Sequence, residues 1–174
     1  LQIAREYNAS GFFTGNDEVG TTLGKWNLIA NSEKNEDNKG SIVLSSFSFV
    51  GNSYKPSTGK EFSTLESLSN IALYIDGVKV GSISKFAGPF HDSSGKALTQ
   101  TIKLDKPFTL NHEDNVWLEM KADFPAPKWK NLEMRTFLNG VTFKDAMTTP
   151  CLVYNDDTSS GYETVPGRNI YWKN

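Results

Sequence analysis

Two runs of alternating apolar residues meet at an Asp-Gly pair in "IALYIDGVKVGSIS", residues 71–84. No other feature constrains the chain so tightly. Asp-Gly takes positive φ at both central positions of a type I′ turn, and that turn's twist matches the twist of the strands it joins. The pairing this predicts is Ile75 with Val78, Leu73 with Val80 and Ile71 with Ser82. Ile71, Leu73, Ile75, Val78 and Val80 then share one face, and Ala72, Tyr74, Lys79 and Gly81 the other, as in a sheet packed on one side and wetted on the other.

The same period of two recurs along the chain. In "NVWLEMKADF" Val116, Leu118, Met120, Ala122 and Phe124 face one way, while Trp117, Glu119, Lys121 and Asp123 face the other. In "LGKWNLIA" Trp26, Leu28 and Ala30 point inward, and "SIVLSSFSFV", "LTQTIKLD" and "PCLVYN" read as further strands. "LEMRTFLNGVTF" predicts a second hairpin about Asn139-Gly140, with Leu132, Met134, Leu138, Val141 and Phe143 on one face. The chain is expected to close with "YETV", a Pro166-Gly167 turn and "RNIYW". Helical spacing occurs only at Phe62, Leu65 and Leu68, where one turn of helix in a crossover is expected. Roughly nine or ten strands follow, enough for two packed sheets. The fold class is all-β, a two-sheet antiparallel β-sandwich of jelly-roll or immunoglobulin-like type.

A chain of 174 residues has room for one such domain, 1–174, with 1–20 an extended arm or a strand donated to a neighbour. In that arm "LQIAREYN" alternates Leu1 and Ile3 before Arg5 and Tyr7, so its first residues either pair with the edge of another copy or fold back on their own sheet. Head-to-tail donation generates an open filament unless the rotation closes it.

Charge narrows the partners. The 18 basic and 20 acidic side chains leave a formal net charge of −2, with no basic cluster to neutralise a phosphate backbone, so nucleic acid is not an expected partner. No apolar run of about 18 residues appears, which argues against insertion in a membrane as a helix. The sequence opens on Leu1 without an initiator Met; a leader removed before Leu1, or a fragment of a longer chain, accounts for that. The single cysteine, Cys151, allows no intrachain disulfide, while the Ser-, Thr-, Asn- and Gly-rich composition suits an extracellular surface. Asn8-Ala9-Ser10 is one weak glycosylation pattern.

Groups for chemistry are sparse. Cys151 sits in an apolar run without a neighbouring base, a thiol there being a packing residue. Neither a nucleophile elbow nor a converging metal set accompanies the serines and the two histidines, so no enzyme is expected. "NHEDN" at 111–115 reads as a solvated turn before the strong strand. "NDDTSSGYE" places Asn155, Asp157 and Ser159 at alternate positions with Glu163 beyond, a weak calcium site; Ser160 stands where an EF-hand needs Gly, and Glu163 comes too early. No other cofactor is expected. Aromatic side chains, Tyr54, Trp117 and Trp129 among them, offer platforms for stacking on sugar rings.

The order "LGKWNLIANSE", "SIVLSSFSF", "LSNIALYIDGVKVGSIS" and "LDKPFTLNHEDNVWLEMKADF" resembles a β-sandwich module found repeatedly in secreted and cell-surface proteins of bacteria, particularly surface-layer and pilus-like proteins. The matching stretches are Lys25 to Ala30, Ile42 to Phe49, Asn70 to Gly81 and Trp117 to Phe124, within residues 20–125. The chain departs from the module in the longer loop at 31–40 and in carrying a single copy. The resemblance implies a structural or adhesive role without cofactor chemistry. Two functions are therefore expected: a non-enzymatic subunit of an extracellular filament or surface layer, with itself as partner in a homopolymer; or a carbohydrate-binding module or adhesin that takes surface glycans on its aromatics, with calcium as a stabilising ion.

Overall fold

A computed structural model describes residues 1–5, 10–13, 18–30, 41–55, 60–61, 68–87, 99–124, 133–145, 154–155 and 165–172. The strands are β1 (Gln2–Arg5), β2 (Ser10–Phe13), β3 (Glu18–Ile29), β4 (Ile42–Lys55), β5 (Lys60–Glu61), β6 (Ser69–Ile75), β7 (Val78–Ile83), β8 (Gln100–Leu110), β9 (Asn115–Phe124), β10 (Glu133–Asp145), β11 (Tyr154–Asn155) and β12 (Val165–Trp172). Two antiparallel sheets pack face to face as an all-β sandwich: β3-β9-β6-β7 forms one and β10-β4-β8 the other. Further strands flank this seven-stranded centre, and two of the flanking pairings are parallel, β1 with β11 and β2 with β12.

The core lies between the sheets. Leu23, Trp26, Leu28, Leu118, Met120, Ala122, Ile71, Leu73 and Ile75 come from one sheet, and Ile42, Leu44, Phe47, Phe49, Ile102, Leu110 and Leu138 from the other; all are buried. The Trp26 and Phe49 rings meet across the gap, 5.5 Å between centroids and tilted by 44°, an offset geometry that aromatic quadrupoles favour. The strands of the strong sequence patterns are where they were expected, with Trp26, Leu28 and Ala30 inward and Leu118, Met120 and Ala122 facing the core.

Bulges, one extra residue on one strand of a pair, shape the sandwich and account for most departures from the sequence reading. In the first hairpin Asp76 (φ 47) and Gly77 (φ 80) both take positive φ, and Ile75 pairs with Val78, as expected. The next pairs are Tyr74 with Lys79 and Leu73 with Gly81, and Ile71 faces Ile83 in place of Ser82. Val80 is the extra residue. The shift turns Gly81 inward, where it is buried, and the turn's position at the sheet end leaves Val78 66% exposed instead of in the core. A Cβ at Gly81 would lie 2.7 Å from the Lys103 carbonyl oxygen and 3.3 Å from Leu104 Cα. β7 therefore rests directly on β8, and the two sheets meet along that side.

The second hairpin is absent: Glu133–Asp145 is one strand, paired with β4 along its length. Leu138 faces Phe49 and Gly140 faces Ser48, so Asn139 is an extra residue, and Gly140 lacks the positive φ a type I′ turn requires. Leu138 and Val141 still turn to the core. A bulge and a two-residue turn shift apolar parity identically, and the long partner β4 decides for the bulge. β4 has its own parity change: Ile42 and Leu44 face inward, then Phe47 and Phe49, because Ser45 is extra against β10. Likewise Pro166-Gly167 makes no turn, since β12 runs through it with a register shift opposite Arg135–Phe137. Of the helical turn expected on Phe62, Leu65 and Leu68, the first two residues lie outside the described residues, and Leu68 is buried.

Candidate functional site

The first candidate is the seat of β1. Gln2, Ile3, Ala4 and Arg5 pair antiparallel with Ile29, Leu28, Asn27 and Trp26 of the same chain. On its other side β1 pairs with β11 through Gln2 and Ile3. Leu1 is 7% exposed and Ile3 1%, and burying an aliphatic side chain of this size stabilises by about 1.5–3 kcal/mol. No hairpin turn joins β1 to β3. The chain passes through β2, which belongs to the opposite sheet beside β12, so the register of β1 is held by its ladder and its inward side chains. Of the residues expected to form an exchangeable strand, Leu1 and Ile3 are core residues, Arg5 lies opposite Trp26, and Tyr7 is outside the described residues.

The second candidate is the outer face of β3-β9-β6. Trp117 stands there 38% exposed. The Lys25 ammonium lies over its ring, 4.7 Å from the centroid, and Lys121 lies over Tyr74 at 5.1 Å. Glu119, between them on β9, pairs with Lys121 at 3.3 Å and accepts a hydrogen bond from the Thr22 hydroxyl. Each ammonium thus has an aromatic partner on a neighbouring strand, the cross-strand arrangement that lets a polar sheet face hold its own charges.

Carboxylates at the two ends of this face bind backbone. Asp76 donates its N–H to the Trp117 carbonyl and accepts the Trp117 N–H on Oδ1 at 2.8 Å, so the turn residue continues the β6–β9 ladder through its side chain. At the other end two bulges flank β9. Gly20 (φ 66) lies in one, on β3, and Asn70 (φ 50) in the other, on β6. Asp123 sits between them: Oδ1 accepts the Gly20 N–H at 2.7 Å and Oδ2 accepts Asn70 Nδ2 at 2.6 Å. These two bonds, Asn70's first, hold the Asp123 carboxyl below the ordinary carboxylate value, against the weaker opposing pull of desolvation.

The segment "NHEDN" is a turn, as expected. Asp114 N–H bonds the Asn111 carbonyl, Asp114 Oδ2 accepts Asn111 N–H, and Glu113 (φ 67) donates its N–H to Ala30. His112 Nε2 is 3.6 Å from Glu113 Oε1. Asn155 lies on β11, while Asp157, Ser159 and Glu163 of the calcium reading are outside the described residues, as are Asn8 and Trp129. Tyr54 lies on β4, opposite Glu133 and Glu61. Among the described residues no three His, Cys, Asp or Glu converge, and no helix is long and apolar enough to cross a membrane.

Sequence reasoning placed Trp117 and Tyr74 outward but missed the lysines over them and the part played by Asp76 and Asp123. A Lys two positions from the register partner of an outward aromatic is the available signal for the first. The class that fold and surfaces define is a two-sheet all-β sandwich. Comparison with protein-family models, with curated proteins and with solved structures finds no match.

Proposed function

We propose that the chain is a non-enzymatic structural subunit of an extracellular filament or surface layer, whose copies join through sheet edges and through β1. The observation that supports this is the seat of β1: two side chains fill the core from a strand that no tight turn ties to its neighbour. A β1 from another copy, entering the same place beside Trp26–Ile29, makes identical contacts, so exchange costs only hinge strain and the entropy of association. The resemblance of residues 20–125 to modules of bacterial surface-layer and pilus-like proteins supports the same reading. Electron microscopy of the purified protein tests it: filaments or sheets are the expected result, and monodisperse monomers at high concentration refute it. Removing residues 1–8 is expected to abolish the assemblies; assemblies that survive unchanged refute the role of β1.

Trp117 favours a second reading, a carbohydrate-binding module or adhesin. An exposed indole on the same outer face as Tyr74 gives a sugar ring an apolar surface once the Lys25 ammonium over it swings aside to meet hydroxyls. Glycan-array binding that Trp117→Ala abolishes, by a protein that remains monomeric, would select this reading over the first.

A further inference from the structure

We draw no further inference here: the strongest candidate, the outer face of β3-β9-β6 with Trp117, Tyr74, Lys25, Glu119 and Lys121, carries none because it belongs to the site already described and nothing in the structure shows what covers it.

Discussion

Gly81→Ala tests the closure of the sandwich at β7 and β8. The added methyl falls 2.7 Å from the Lys103 carbonyl oxygen and 3.3 Å from Leu104 Cα, whereas non-bonded carbon atoms settle at roughly 3.5–4.0 Å. Both obstacles are backbone, so no side-chain rotation relieves the overlap; the sheets must separate along that side. Overpacking of this kind costs about 1–3 kcal/mol. Alanine recovers about 0.5–1 kcal/mol of the chain entropy that glycine loses in a strand, leaving a net loss centred on about 1 kcal/mol. Urea unfolding followed by Trp fluorescence should show the midpoint lowered by about 0.5–1 M at unchanged slope. Gly140→Ala is the milder comparison, because the new Cβ would lie 3.3 Å from the Ser48 Cβ, an overlap of a few tenths of an ångström that a small backbone shift relieves, and its loss should be smaller than that of Gly81→Ala. A Gly81→Ala protein as stable as the parent would mean that β7 does not lie on β8.

Gly24→Ala should disturb the centre of the core, since the new Cβ would lie 2.2 Å from the Trp26 ring; a loss of about 1–3 kcal/mol and a shifted Trp emission are expected, and an unchanged spectrum would refute the packing. Asp76→Ala forces a side chain without local hydrogen bonding into φ 47 and orphans the Trp117 N–H, so about 1–2 kcal/mol should be lost, with Asp76→Asn losing less. Asp123 titrates below its ordinary value of 3.8, so its contribution is present in full above that pH and disappears as the pH falls through the lower, folded value. Asp123→Asn should therefore be less stable than the parent at neutral pH, with the gap closing as the pH drops below about 4; a gap independent of pH would show that the charge of Asp123 plays no part.

Much of the fold was legible because period-two alternation depends only on local sequence. The Asp76-Gly77 turn, the inward set on β9 and the burial of Trp26 all follow from it. What escaped was every bulge. Val80, Asn139 and Ser45 each insert one residue, and the resulting parity shift at Leu138 and Val141 is the one a two-residue turn would also leave. The choice between them rests on the length of a partner strand more than eighty positions away, β4 for β10, and no local pattern carries that. "IVLSSFSF" did hold a trace, since Leu44 and Phe47 cannot both face inward on an unbroken strand. Tyr74 and Trp117 were legible as outward aromatics, but the ammonium groups over them depend on register across β3, β9 and β6. The clamp at Asp123 is a product of two bulges, at Gly20 and Asn70, and so was hidden with them. The alternation of Leu1 and Ile3 left both a donated and a folded-back strand open; here they complete the core of their own chain.

Whether β1 also joins one copy to the next is tested most directly by cross-linking. Ala4 and Asn27 are directly opposed in the β1–β3 ladder, and opposed residues of an antiparallel pair stand at a separation a disulfide spans. Ala4→Cys with Asn27→Cys, in a Cys151→Ser background, is assembled under reducing conditions, then oxidised and run on a non-reducing denaturing gel. Strand exchange predicts a ladder of covalently joined copies. Assemblies that yield only internally bridged single chains would contradict exchange while leaving the structural role in place, and a protein that forms no assemblies at all would contradict both.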